Sequence, residues 1–564
     1  MPAISLFVDR ARAVTAFELD DDKVAAVIDL CRRVDGLPLG IELAAARLKM
    51  LSLDQLRGKV EQHLAVLGRR GSGAIARQQT LGALIDWSYD LLSSEERTVF
   101  RRLGIFAGSF TFEAASAVCA DDDGGSSVLD ALDALVDKSL LVVEARRQGA
   151  RTFRFFESIR SYARDRLFTE DEVESVEGHH RAYYLGAATT AAAVRATPQW
   201  LTALQPLEYA ADDLHAVLDS TLGSGRDLAW GADLAAKLVG YWRWCGMWLE
   251  GREWLECALR RDAQFSPELR ARVRLALFEL HTESDARWGE QLALETIDLL
   301  NDGYNEKLLR TAWYQAAQAY FSLGDLKRSR AYLQKVQVEP VGDADVLTLA
   351  AAYNLVGLIA HVTGDCDSAT RSLTHAEELY RGINRDSSCV TPLGNLAEVA
   401  FWQGRYGEAI DIAKRALALA ELNRSRDTAW LLANLGNYYL DAQDCDAGAH
   451  YTRDALRMAL EIGDGLAVGN CCDIYARIAH QRGDSDVAAR LLGYANRQIS
   501  ELGLPRQSVE CRRNAELCEL LHAGLGAERA ERRLAEGAPL SCEEMLALID
   551  GSAHNRLVAP TLVS

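Results

Sequence analysis

Few prolines, an abundance of Ala and Leu, and five turn triplets recurring about every 40 residues predict a mainly α protein. The expected architecture is a helical subdomain plus a winged helix with a small β-hairpin wing, followed by a TPR-like α-solenoid. The chain has 564 residues, too many for one hydrophobic core, so several domains or a repeat array are required. Only 10 are proline and 25% are charged. Acidic residues exceed basic ones by 81 to 62, and a net charge of −19 makes the chain as a whole a poor electrostatic partner for DNA or anionic lipid. No apolar run reaches the roughly 18 residues a membrane span needs, and the start Met1-Pro2-Ala3-Ile4-Ser5 lacks a basic-then-apolar leader pattern. A cytoplasmic protein is expected. The 12 cysteines include no Cys-x-x-Cys pair, which predicts free, buried thiols.

Residues 1–67 read as a helical unit. Apolar Leu6, Phe7 and Ala11 are followed by Val24, Val27, Ile28 and Cys31 at three- and four-residue steps. A Gly36-Leu37-Pro38 turn then runs into the Ala/Leu-rich helix ending at Arg47, and Pro38 stands early enough that its missing N–H is not needed. The string Gly68-Arg69-Arg70-Gly71-Ser72-Gly73 predicts a linker.

Residues 77–168 predict a winged helix. Thr80 and Ser93 are candidate helix caps, the latter followed by Glu95 and Glu96. Helices are expected near Leu81–Leu91, Glu95–Leu103, Glu113–Val118 and Val128–Asp137. Strands Leu140–Val143 and Thr152–Phe156 then form a hairpin around the basic turn Arg146-Arg147-Gln148-Gly149-Ala150. Residues 175–300 predict a helical linker and the start of the solenoid, a helical region that runs through Glu208–Leu218 and Tyr241–Leu259.

Over 301–525 the repeat is measurable. Leu323-Gly324-Asp325, Thr363-Gly364-Asp365, Gln403-Gly404-Arg405, Ala442-Gln443-Asp444 and Arg482-Gly483-Asp484 begin at steps of 40, 40, 39 and 40 residues. Small residues keep phase before the turns (Ala317, Gly357, Ala397, Gly436, Ala476) and after them (Ser329, Ala369, Ala409, Gly448, Ala488). Such spacing lets two helices cross closely at a short turn, the helix–turn–helix of a TPR-like repeat. Residues 526–564 predict a terminal cap, with a short helix Cys542–Ile549, and a loose tail.

Several candidate sites fall to simpler readings. The Walker A pattern G-x-x-x-x-G-K-[ST] does not occur, and neither Gly71-Ser72-Gly73 nor Asp123-Gly124-Gly125 offers the Lys that phosphate binding needs. His179-His180 and Cys511/Cys518 lack companions at metal-ligand spacing. Cys366 and Cys445, in one phase of the repeat, predict a small buried apolar position. The Trp-rich run Tyr241-Trp242-Arg243-Trp244 predicts a helix–helix seam rather than a stacking platform. On the winged helix, the recognition helix Ser126–Ser139 carries Asp130, Asp133 and Asp137 against one Lys138, which opposes phosphate binding. Arg146, Arg147, Arg151 and Arg154 on the wing, and Arg160, Arg164 and Arg166 after it, fit a solvated face or docking to acidic neighbours.

The string from Asp35-Gly36-Leu37-Pro38-Leu39 to Ala46-Arg47 resembles the GLPL segment of the STAND class of signalling ATPases, in particular bacterial AfsR-like (NB-ARC) regulatory ATPases. Trp87-Ser88-Tyr89-Asp90-Leu91-Leu92 and the hairpin-then-helix Phe153–Leu167 are similar to the winged helix of that class. Trp248-Leu249-Glu250-Gly251-Arg252-Glu253-Trp254 looks like the start of its helical array. The resemblance implies the later part of such a machine without its P-loop domain, so no catalytic residue is assigned. It implies that Gly36, Leu37, Pro38 and Leu39 face the base of ATP or ADP if a P-loop domain is supplied. Phe155-Phe156-Glu157 stands where relatives carry a Met-His-Asp signature, and the His is absent. The implied role is signal transduction or transcriptional regulation, with the solenoid binding a protein or peptide partner or a small inducer. The alternatives are a free-standing TPR scaffold without nucleotide response and a winged-helix DNA-binding transcription factor.

Overall fold

The computed structural model describes residues 2–34, 36–66, 82, 84–119, 126–146, 150–195, 197, 199–280, 286–301, 303, 305–337, 343–422, 427–501 and 508–552. The expected linker 68–73, the cap at Thr80, the wing tip 147–149 and the tail 553–564 lie outside them. The chain divides into two compact units, Met1–Arg195 with Gln199–Gln264, and Ala196–Pro198 with Phe265–Ser564. The division falls inside the 175–300 segment.

The first unit opens with helices Pro2–Val14, Asp21–Arg33, Pro38–Ala46 and Leu53–Val66. Asp20 caps the second of them by accepting from the Lys23 N–H at 3.0 Å. Phe7, Ala11, Val27, Leu30, Ile41, Leu43 and Leu56 are buried and form its core.

Helices Ser94–Leu103, Phe112–Cys119 and Ser126–Asp137 follow, then strands Val142–Ala145 and Arg151–Arg154, then helix Glu157–Thr169. Ser93 and Glu96 form a reciprocal capping box, each side chain accepting from the other's backbone N–H. The strands are antiparallel with Val143 opposite Phe153, and Phe110 pairs with Phe153 from the far side. The hairpin begins two residues later than the sequence predicts. Ser139 takes a left-handed conformation (φ 57°) and its N–H reaches the Val136 carbonyl, so Leu140 closes the preceding helix and is buried in the core. Gly104 permits a close helix contact: a Cβ there would stand 2.7 Å from the backbone nitrogen of Arg164.

Helices Val173–Ala193, Trp200–Glu208, Ala211–Leu218, Leu228–Lys237, Val239–Cys245 and Trp248–Leu259 complete the unit. The helical region expected over 241–259 consists of two helices, because Gly246 at φ 77° ends the first. Likewise the helical region through 208–218 is interrupted at Tyr209 and Ala210. Trp242 is buried, and Trp248 packs its ring under the Arg243 guanidinium at 5.2 Å.

The second unit is built of helix pairs. Pro267–Leu280 and Ala286–Leu300 precede the first turn triplet; Glu306–Ser322 with Leu326–Val336, Asp343–Val362 with Cys366–Gly382, Val390–Trp402 with Tyr406–Leu422, Asp427–Asp441 with Cys445–Ile462, and Gly465–Gln481 with Ser485–Glu501 flank the five triplets. All five turns share one geometry. At the first, the Gly324 N–H reaches the Phe321 carbonyl (2.9 Å) and the Asp325 N–H reaches Tyr320 (2.9 Å), which satisfies two helix-end carbonyls. The middle residue has φ 78°, 84°, 73°, 67° and 88° in the five turns, and only the fourth, Gln443, is not glycine. The third triplet residue caps the next helix: Asp325, Asp365, Asp444 and Asp484 each accept a backbone N–H at 3.0–3.1 Å. Arg405 at the third turn has no carboxylate to do so.

Cys366 and Cys445 are half-buried first residues of their helices, not buried core positions. The turn sets them at the rim, where Cys445 Sγ lies 2.7 Å from Gln481 Oε1. Among the free thiols of the described residues, Cys245 and Cys542 are exposed, a second departure from the expected buried set. At the C-terminal end, Ala527–Gly537 crosses Ser485–Glu501 backbone to backbone. Cβ atoms at Gly493 and Gly537 would overlap the carbonyls of Leu534 and Arg490. Helix Cys542–Ser552 is capped by Ser541 and buries Met545 and Ile549.

Candidate functional site

The segment singled out by sequence, Gly36 to Leu39, joins helix Asp21–Arg33 to helix Pro38–Ala46. Gly36 adopts φ 66° and its N–H reaches back to the Cys31 carbonyl at 2.8 Å; the Leu37 N–H bonds Val34 at 3.0 Å. Leu37 is the N-cap and Pro38 the first helical residue, where fixed φ suits it. Gly36 and Pro38 are exposed, Leu37 and Leu39 half-buried. The turn therefore presents an apolar edge whose N–H groups at 36 and 37 are already used. Such an edge fits the face of a nucleobase by van der Waals contact.

Behind this edge the helix packs on the first helical stretch of the winged-helix segment. A Cβ at Gly40 would stand 3.2 Å from Leu84 Cδ1. Arg47, just past the helix end, is 2% exposed and lies 6.0 Å from the ring of Trp87. Its Nε and Nη2 have no hydrogen-bond partner among the described residues, and burial pulls the guanidinium down to about 10. Lys49 and Asp137 add an ion pair at 2.5 Å between the same two parts.

The second segment named by resemblance is placed at the start of helix Glu157–Thr169. Phe155 is buried against Phe100, with ring centroids 5.4 Å apart, and Phe156 is half-buried. The Glu157 carboxylate is held by Arg160 at 2.7 Å, and that hydrogen bond keeps it below the usual carboxylate range. This acid is committed to its own helix.

On the winged helix, Asp130 and Asp133 are exposed beside Leu129, which is 55% exposed. The lone basic residue Lys138 pairs with Glu96 at 2.5 Å. Most of the arginines are engaged within the unit. Arg146 and Arg154 both bond Glu144, Arg146 also lies over the Tyr209 ring at 5.1 Å, Arg160 holds Glu157, and Arg166 pairs with Asp86 at 2.8 Å. Arg151 is exposed.

His180, weighed above only as a metal candidate, is a structural partner. Its Nε2 lies 2.9 Å from Asp213 Oδ1, which also accepts the Ala107 N–H at 2.9 Å. Asp213 is fully buried, and by accepting the Ala107 N–H as well it fastens the winged helix to the two helices that His180 and Asp213 join. No group of three or more His, Cys, Asp or Glu among the described residues could hold a metal ion. No helix among them is long and apolar enough to cross a membrane.

In the second unit the structure gathers polar residues that sequence reasoning did not select. Arg477 donates to Asn437 Oδ1 at 2.8 Å and to Asp441, and Arg513 reaches the same Asp441 at 3.3 Å. A signal was present: Asn437 and Arg477 are 40 residues apart, each one residue after a small in-phase position, Gly436 and Ala476.

Comparison with known proteins agrees with these parts. Residues 92–168 match the winged helix-turn-helix domain family, and residues 388–461 match the tetratricopeptide repeat family. A Mycobacterium tuberculosis protein named "Putative HTH-type transcriptional regulator" is 42% identical over 190 residues, 33% of this chain and 21% of that protein. An uncharacterized protein of the same species is 42% identical over 185 residues, 32% of this chain and 47% of its own length. The chain thus spans from about a fifth to about half of these curated relatives. Among solved structures, the STAND protein with a tetratricopeptide repeat sensor from Pyrococcus horikoshii is 14% identical with a TM-score of 0.52, over 91% of this chain and 74% of that one. The chain is therefore a mainly α protein that carries a winged helix-turn-helix domain and tetratricopeptide repeats, and it shares its fold with a STAND protein.

Proposed function

We propose that this chain is a regulatory signal-transduction protein in which the TPR-like solenoid takes up a protein partner or small inducer and the first unit relays that event. The observation that carries the reading is the packing of helix Pro38–Ala46, with Arg47 just past its end, on the winged-helix segment through Gly40, Leu84, Arg47 and Trp87. A change at either part is felt at the other, which is the physical requirement for coupling two sites. Residues 1–67 act as the helical subdomain of the switch, 77–168 as the relay, and 301–525 as the sensor.

In this reading Gly36, Leu37, Pro38 and Leu39 supply the base-side edge for ATP or ADP when a P-loop domain is present. In this reading no catalytic residue is assigned to the chain, whose sequence carries no Walker A string. The winged helix acts by docking within the protein rather than by reading DNA, given exposed Asp130 and Asp133 and a Lys138 already paired. Retention on duplex DNA that falls steeply with salt would contradict that part.

Calorimetric titration with ATP and ADP tests the switch. The expected result is weak saturable heat that Pro38→Ala abolishes, without phosphate release. No heat at all favours a scaffold that does not respond to nucleotide.

A further inference from the structure

Helix Leu326–Val336 carries Lys327, Arg328, Arg330 and Lys335 and no acidic residue, in a chain whose net charge is −19. All four cations are exposed. The second helices of the other pairs are balanced: Cys366–Gly382, Tyr406–Leu422 and Cys445–Ile462 each hold three acids against two Lys or Arg, and Ser485–Glu501 holds two of each. Those helices also pair with their neighbours, as Arg415 does with Glu377 at 3.0 Å and Asp486 with Arg529 at 2.5 Å and Arg533 at 2.6 Å. Helix Leu326–Val336 makes no such cross-helix pair among the described residues. Arg328 reaches the cap of its own helix, Asp325, at 3.5 Å, whereas Lys327, Arg330 and Lys335 form no ion pair with any described residue. Lys327 and Arg330, at i and i+3, are like charges that repel.

Helical spacing runs Lys327, Ala331 and Gln334 down the middle of the exposed side, with Arg330 on one flank and Arg328 and Lys335 on the other. Contacts hold the flanks in place: Arg330 donates to Thr363 Oγ1 at 3.4 Å, Arg328 lies over the Tyr320 ring at 5.4 Å, and Lys335 lies over Tyr332 at 4.9 Å. Acids border the stripe on both sides. Asp325 and Asp365 are occupied as helix caps, Glu290 faces the Tyr320 hydroxyl, and exposed Asp298 stands on the Tyr332 side. The basic stripe is therefore one helix wide and about 16 Å long. A nucleic-acid duplex laid on it would set further phosphates over Asp298 and Asp365, against the charge of the whole chain. A single acidic peptide keeps its carboxylates on the stripe alone. We infer that helix Leu326–Val336 is a docking face for an acidic peptide segment of a partner protein, with carboxylates on Lys327, Arg330 and Lys335. The inference rests on the reading of the solenoid as a sensor and names the chemistry of its protein partner.

The test uses the full chain and a fluorescein-labelled octaglutamate peptide in anisotropy titrations at low ionic strength, with octaglutamine as the control. Octaglutamate is expected to bind saturably and to weaken as salt rises, and octaglutamine is expected not to bind. Lys327→Gln combined with Arg330→Gln is expected to weaken binding about three- to tenfold, the loss of two exposed ion pairs, and to melt no lower than the parent because it removes exposed like charges. Arg457→Gln, which takes a cation from the balanced helix Cys445–Ile462, is expected to leave binding unchanged. No saturable binding of octaglutamate, equal binding by the double variant, or an equal loss in R457Q overturns the proposal. Tighter binding of duplex DNA or of phosphatidylserine vesicles through Lys327 and Arg330 also overturns it. Hydrogen exchange of the complex separates this surface from the sensor reading: protection of 326–336 is expected, protection elsewhere within 343–501 removes the surface and leaves the sensor, and protection confined to 2–264 removes both.

Discussion

The Ser329 hydroxyl donates a 2.7 Å hydrogen bond to the Ala317 carbonyl where helices Glu306–Ser322 and Leu326–Val336 cross. These are the two phased small positions of the first turn, and their contact shows what the phase is for. At the fourth turn the equivalents are Gly436 and Gly448, and a Cβ on Gly448 would lie 3.1 Å from the Gly436 carbonyl. A Cβ on Gly436 would overlap Thr452 Oγ1, which is buried and bonded to the Gly448 carbonyl at 2.7 Å. Gly436→Ala is therefore expected to destabilise the second unit by about 2–3 kcal/mol, read from urea melts. Gly324→Ala tests strain alone, since nothing lies within 4 Å of its Cβ, and a cost of about 1 kcal/mol is expected.

The turns also predict two stabilising changes. Gln443 occupies the left-handed position that glycine fills in the other four turns, and Arg405 the position where Asp caps elsewhere. Gln443→Gly is expected to add about 1 kcal/mol. Arg405→Asp is expected to add about 0.5–2 kcal/mol by restoring the cap, since the exposed Arg405–Glu408 pair it removes is worth little. Unchanged melting of both variants would show that the repeat does not rely on its turns.

These turns were legible in the sequence because glycine, Asp and small residues recur at fixed phase, and each has a local physical reason to be there. The capping box at Ser93 was readable for the same reason. What the sequence did not reveal depends on pairs far apart in the chain. His180 meets Asp213 and Arg513 meets Asp441 only after folding, and neither spacing matches a periodic pattern. Local conformations without a glycine signal were missed too, as at Ser139, whose left-handed φ delays the wing strand. Gly246 does carry such a signal and ends its helix, although the tryptophans on both sides keep helical spacing.

Arg47 predicts a gain from removing a charge. Its guanidinium is buried with two nitrogens unpartnered among the described residues, and that burial alone lowers its pKa. Arg47→Met keeps the length and packing on Trp87 without the desolvation cost. An increase of about 1–3 kcal/mol in the stability of the first unit is expected, and a decrease would mean the charge is paired.

Acid sensitivity of the winged helix centres on Glu172. Burial works to raise its pKa, but Arg101 at 2.8 Å and Arg102 at 3.3 Å outweigh it and hold the carboxyl below its ordinary value. A carboxyl whose folded pKa lies below the unfolded one, about 4.3, stabilises the fold above that pH and loses the contribution as pH falls through the folded value. Glu172→Gln is expected to cost about 1–2 kcal/mol at pH 7 and progressively less below about pH 4. A pH-independent difference in urea melts would assign the loss to packing.

The central claim we propose is that residues 36–39 keep the base-side edge of a nucleotide switch without a Walker A phosphate loop in this sequence. Photolabelling the whole chain with 2-azido-ATP, followed by peptide mapping, tests this most directly. The account predicts label on the peptide containing Gly36–Leu39, removed as well by excess adenosine as by ATP. Label on any other segment, or label that ATP removes and adenosine does not, would contradict it.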